Sequence, residues 1–190
     1  MIDSVVTYIV SQLNQALKLE YGLSEDMVVM SNLSEKASLV TSDRVVAMLV
    51  NIEKESFSPQ TMSRSSPGNG QVAKNYRPVN LNLYLMLVAN FQGESYSEGL
   101  SFISRTIDFF QYNPVFDSNK NRDMPPNIDK LLVDIENLNL RELHSIWTLI
   151  TGEYMPSILF KVRTVSFDRG IHGVSPVVKG IGSNVKKKGS

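Results

Sequence analysis

Residues 78–91 read PVNLNLYLMLVANF, and their alternation organises the rest of the chain. From Val79 every odd position is apolar: Val79, Leu81, Leu83, Leu85, Leu87, Ala89 and Phe91. Successive side chains of a strand point to opposite faces, so the odd face is expected to be buried throughout. The even positions (Asn80, Asn82, Tyr84, Met86, Val88 and Asn90) are polar at both ends and apolar in the middle, so something should cover their centre. The segment therefore reads as the long central strand of a sheet. On this reading Val79→Asp should unfold the protein.

Upstream, Arg44 to Glu55 (RVVAMLVNIEKE) is apolar on both faces to Val50 and then polar at Asn51, Glu53 and Glu55. That pattern suits a second long strand buried on both sides at one end only. Between the two strands, residues 56–77 carry Ser, Pro, Gly and Asn without sustained periodicity, and read as a long loop. Loops of that length are usually functional or disordered. The strands can then pair as an antiparallel hairpin with a long tip.

The remaining elements fit around this hairpin. Residues 2–20 have the spacing of an amphipathic helix, with Asp3 or Ser4 as the N-cap and Gly22 as the stop. Met27 to Met30 reads as an edge strand. Ser95 to Glu98 has the form of a capping box opening a helix that carries Leu100, Ile103, Ile107 and Phe110 on one face, closed by Asn113-Pro114. Val115-Phe116 and Lys130–Glu136 read as strands. A second capping signal at Asn139 to Glu142 starts a helix to about Ile150, with Gly152 beyond it. Tyr154 to Phe167 is the last strand. The fold class is α/β (α+β): a mixed, largely antiparallel sheet with a long central hairpin, helices packed on one face, and an extended C-terminal arm. Residues 1–167 form one domain and 168–190 the arm. A doubly wound nucleotide fold fits poorly, because no crossover helix separates the two long strands.

Composition narrows the function. Nineteen basic residues balance 19 acidic ones, so net charge points to neither nucleic acid nor membrane. Cysteine is absent, which removes disulfides and thiolate metal sites. No run approaches the roughly 20 apolar residues of a membrane span. The N-terminal stretch lacks a secretory signal, because Asp3 stands where positive charge belongs and Gln12, Asn14 and Gln15 interrupt the apolar run.

A search for chemistry finds no catalytic motif. His144, beside the Trp147 face, could be a ligand or base, but a metal site needs convergent partners, and it reads as a boundary histidine. His172 is isolated in the arm. Ser66-Pro-Gly-Asn-Gly70 lacks the Gly-Lys-Ser/Thr ending of a phosphate loop and reads as a loop tip. Glu53, Glu55, Asp134 and Glu136 could pair carboxylates across strands, but such residues more often form solvated strand faces. Asp117 and Asp123 lack calcium-loop spacing. Lys186-Lys187-Lys188 has no interleaved aromatics and reads as a solvated tail, which makes nucleic acid an improbable partner. No cofactor is expected.

Three stretches carry a resemblance. They are the helix from Met1 to Leu19; Val45 to Glu55 with Pro78 to Leu85 and then Tyr96 to Phe110; and Leu143 to Arg163, with Trp147, Gly152, Tyr154, Pro156-Ser157 and Phe160-Lys161-Val162-Arg163 in order. Together they resemble the small cap, or tail-terminator, proteins of contractile injection systems, phage-tail-like particles of the antifeeding-prophage and Photorhabdus-virulence-cassette type. The resemblance implies a non-enzymatic subunit of a homo-hexameric ring that contacts the inner tube protein and the sheath protein. Such a ring ends polymerisation and anchors the sheath. It would be cytoplasmic during assembly, then part of a particle that is released or membrane-anchored. The assembly contacts expected on this reading are Arg64, Asn69, Lys74, Arg77, Lys161, Arg163, Val177, Val178 and Ile181. The alternatives are a phage head–tail connector or tail-completion protein and, after those, a small hydrolase using Glu53 or His144.

Overall fold

The computed structural model describes residues 1–33, 41–55, 79–126 and 128–165, together with the backbone of 72–74 and 173–175. In chain order the elements are α1 (Ile2–Tyr21), β1 (Val28–Met30), β2 (Arg44–Lys54), β3 (Val72–Lys74), β4 (Leu81–Asn90), a 3₁₀ turn (Gly93–Ser95), α2 (Tyr96–Tyr112), β5 (Val115–Asp117), β6 (Lys130–Ile135), α3 (Leu140–Ile150), β7 (Ser157–Val165) and β8 (Gly173–Ser175). They fall into two compact units. One is Met1–Ser58 with Val79–Phe167, and the other is Pro59–Pro78 with Asp168–Ser190.

The larger unit is built on a six-stranded sheet in the order β1-β2-β4-β7-β6-β5. Only the β1–β2 pair is parallel; the other four pairs are antiparallel. β4 lies inside the sheet between β2 and β7, as its alternation predicts. Its odd residues Leu83, Leu85, Leu87 and Ala89 join Val45 and Ala47 of β2 in a core with Val5, Ile9, Leu13 and Leu17 of α1 and with Phe102 and Phe110 of α2. Its even residues Met86 and Val88 join Val46, Met48 and Leu159 under Trp147 of α3. Helices therefore cover both faces, α1 and α2 on one and α3 on the other, which corrects the expectation of helices on one face. The apolar centre of β4's even face is the imprint of α3.

A bulge divides β2. Leu49 pairs with Leu85 but Asn51 pairs with Tyr84, which leaves Val50 without a partner. One extra residue exchanges the two faces of everything beyond it. Val45, Ala47 and Leu49 share the α1 face with Leu85, yet beyond the bulge Asn51 and Glu53 stand opposite Tyr84 and Asn82 on the α3 side. The polar end of β2 thus faces the polar end of β4.

Several local expectations change. The odd face is not buried throughout: Val79 precedes the strand and is 53% exposed, so Val79→Asp has no core to disrupt. Helix α1 starts at Ile2 without a side-chain cap, because the Asp3 carboxylate takes the N-terminal ammonium at 2.9 Å instead. The Ser95 box does not form: its hydroxyl donates to the Asp43 carboxylate at 2.7 Å, and the backbone there is a 3₁₀ turn. The Asn139–Glu142 box forms in full. The buried face of α2 runs through Gly99, Phe102, Thr106 and Phe110, whereas Leu100 is exposed. The stretch read as a loop holds β3, and the arm holds β8; these two pair antiparallel as Val72↔Ser175, Ala73↔Val174 and Lys74↔Gly173.

Candidate assembly surface

Beyond the end of α3, the sheet presents a polar face built from four strands in register. One row runs Asn51, Tyr84, Lys161, Asp134 across β2, β4, β7 and β6, and the next runs Glu53, Asn82, Arg163, Leu132. On β7 the odd residues past Leu159 are on this side, while Phe160 and Val162 fill the α1 face. The chemistry of the patch is one of paired charges. The Tyr84 hydroxyl donates to Glu53 Oε2 at 2.8 Å, and the Lys161 ammonium lies 5.6 Å from the centre of the Tyr84 ring. That hydrogen bond to a carboxylate, with some burial, pushes the Tyr84 phenol above its ordinary pKa, although Lys161 opposes the shift. Arg163 Nε lies 3.1 Å from Glu55 Oε2. Among the described residues this Nε has no aligned hydrogen-bond acceptor, so its contact with Glu55 is one of charge. The side-chain oxygen of buried Asn82, opposite Arg163, has no donor among the described residues.

Of the expected contact residues, Lys161 and Arg163 come together here. Lys74 lies on β3, and Arg64, Asn69, Arg77, Val177, Val178 and Ile181 lie outside the described residues. Glu53 and Glu55 reach the same patch, but they meet a phenol and a guanidinium rather than each other. Tyr84 and Asn82 were missed as site residues. Their signal was the polar end of the β4 even face, and only the Val50 bulge brings it opposite Glu53.

The free edges of the sheet differ. At β1, the Val28 N–H donates to Asn14 Oδ1 and Asn14 Nδ2 donates to the Val28 carbonyl, both at 2.8 Å. One amide of α1 thus occupies the backbone groups that a further strand would use, which closes this edge to augmentation at Val28. At the opposite edge Val115 of β5 is exposed. The remaining catalytic candidates do not converge. His144 is exposed beside a shallow hollow of about 210 Å³ that it shares with Leu140, Trp147 and Tyr154. Asp117 ends β5 and is held below its usual pKa first by the Asn119 backbone N–H and also by Lys130. Among the described residues no three His, Asp or Glu side chains are grouped to hold a metal. No helix among them is long and apolar enough to cross a membrane.

Comparison with known proteins gives two results. A family described as the Pvc16 N-terminal domain matches residues 4–179. Among solved structures, the chain is similar to the PVC sheath/tube terminator of an extracellular contractile injection system in its extended state, with 17% identity and a TM-score of 0.49, covering 96% of this chain and 64% of that one. It is also similar to the tube-terminating cap of the anti-feeding prophage, with 13% identity and a TM-score of 0.49, covering 97% of this chain and 61% of that one. The chain therefore spans less than two thirds of the length of either structure. No curated protein matches.

Proposed function

The chain belongs to the Pvc16 N-terminal domain family, and from that premise we propose that it is a terminator subunit of a contractile injection system. In this role it is a structural, non-catalytic protein. Six copies form a ring on the last layer of the inner tube, stop polymerisation there and hold the last layer of the sheath. The observation that carries the reading is the family match along residues 4–179. The stretches whose order resembles cap proteins also occupy connected places: β2 and β4 are adjacent strands, Trp147 of α3 packs on Met86 and Val88 of β4, and Phe160 to Arg163 lie on β7.

A ring of identical subunits needs two different surfaces per copy that match each other. We assign the Lys161–Arg163 face to one such contact, because both side chains are half-exposed and a neighbour can meet them with opposite charge. Arg64, Asn69, Lys74 and Arg77 from the segment before β4, and Val177, Val178 and Ile181 from the arm 168–190, supply further contacts to tube, neighbour or sheath. Assembly would take place in the cytoplasm before the particle is released or anchored.

The test is the particle itself. Particles assembled with an affinity-tagged copy should show the label only at one end, as a six-fold ring in class averages. Particles assembled without the protein should have tubes of uncontrolled length and sheaths that detach. Label along the whole tube, or normal length without the protein, would overturn the assignment.

A further inference from the structure

The segment before β4 and the C-terminal arm were read above as two separate extensions. The backbone joins them. Val72–Lys74 and Gly173–Ser175 are paired antiparallel with three residues in register, and by contacts residues 59–78 and 168–190 make one compact unit. We infer that these two segments act as a single assembly element, a clasp closed by the β3–β8 pair. As a statement about assembly this rests on the terminator reading; as a statement about the chain it does not.

The sheet explains why two strands so far apart in sequence can meet. Asn82 pairs with Arg163, so the chain entering β4 and the chain leaving β7 lie side by side. Thr164 pins that junction: its hydroxyl accepts from the Leu81 N–H at 2.8 Å and donates to the Leu81 carbonyl at 3.2 Å, within a residue 1% exposed. The closure entropy of the long intervening chain is therefore already met by the sheet, and only the two short segments remain to be ordered. A two-stranded sheet this short is marginal in water by itself. Lys74 belongs to one strand of the pair, and Val177, Val178 and Ile181 follow Ser175 of the other in sequence.

The chain has no cysteine, so an engineered pair reports without background. Residues directly opposite in an antiparallel pair have Cα atoms about 4.5 or 5.5 Å apart, within the span of a disulfide. Full-length protein carrying Ala73→Cys and Val174→Cys, oxidised with glutathione disulfide, should form a bond within one chain, read by mass spectrometry of unreduced peptides. The pair Ala73→Cys with Ser175→Cys, offset by one residue and on opposite faces, should cross-link roughly tenfold more slowly or less. Cross-linked Ala73/Val174 protein should cap tubes and retain sheath as well as its reduced form. Absence of the within-chain bond, or a bond formed only between copies, would overturn the clasp. A within-chain bond that abolishes assembly would show that loop and arm must separate, and would overturn the single element. Failure of the terminator reading is distinct: reduced protein would then be missing from particle ends whatever the cross-link shows.

Discussion

Asn14 shows how much one side chain can do for a sheet. It lies among the apolar residues of α1, 5% exposed, and both of its polar atoms bond the backbone of Val28. Asn14→Ala leaves a buried donor and a buried acceptor unpaired, so it should lower unfolding free energy by about 2–4 kcal/mol in denaturant titrations. It should also open the β1 edge, which light scattering would detect as self-association. Val79 is the opposite case. It is exposed, so Val79→Asp should change stability by no more than about 0.5 kcal/mol. Leu85→Ala, at the buried centre of the same segment, should cost about 2–5 kcal/mol. Tyr84 links the polar end of the sheet to pH. Its folded pKa is raised by donation to Glu53. The stability it contributes is present in full below the unfolded value of about 10 and is lost as pH rises through the folded pKa. Tyr84→Phe should therefore flatten the alkaline fall in denaturation midpoint between about pH 9 and about pH 11. Tyr8, whose phenol is raised chiefly by burial and also by Asp123, keeps its own share of that fall.

At the level of elements, the close approach of α2 to the sheet depends on Gly99. A Cβ there would lie 2.9 Å from the Cβ, Cγ and Cδ2 atoms of Phe91. Phe91 is buried and stacks on Phe102 with ring centres 5.7 Å apart, so it has little room to yield. Gly99→Ala should improve helix propensity yet lower the melting temperature, with a net loss of about 1–3 kcal/mol. Elements with strong period were legible in the sequence: β2, β4, β7 and the three described helices stand within a few residues of their expected places. Capping was legible only where nothing competed. Asn139 finds its own amides free and caps α3, whereas the Ser95 hydroxyl is drawn to Asp43, a residue distant in sequence. The short pair β3–β8 could not be read, because three residues of each strand, in segments otherwise rich in turn formers, give no periodic signal.

Within the larger unit, the decisive fact is that helices cover both faces of the sheet near its middle, whereas past α3 one face carries a polar row that no described helix covers. That polar end carries Lys161 and Arg163, which the sequence singled out, together with Tyr84 and Asn82, which it did not. Arg163 is half-exposed and its partner Glu55 is 14% exposed, so reversing the charge would set two carboxylates together. Lys161→Ala with Arg163→Ala adds no such repulsion and should leave the isolated protein folded, with a loss of about 1–2 kcal/mol. If this face joins ring neighbours, the same variant should lose ring formation in negative-stain images and leave tube length unregulated. Normal capping by that variant would remove this face from the assembly contacts.

Alternation and helical spacing are properties of consecutive residues, and for that reason the sequence alone determined the central strand, the three described helices, the sheet class and the order of the elements other than β3 and β8. The resemblance to cap proteins came from the same level, as motifs in sequence order, and the family match agrees with it. What only the tertiary structure decided depends on which distant residues meet. α3 takes the second face because an apolar centre on β4's even side needs a cover, and Trp147 provides it. The Val50 bulge turns Glu53 toward Tyr84 because register is a relation between strands and not a feature of either one. Asn14 closes an edge whose strand lies elsewhere in the chain, and β3 meets β8 because β4 and β7 have already brought their ends together.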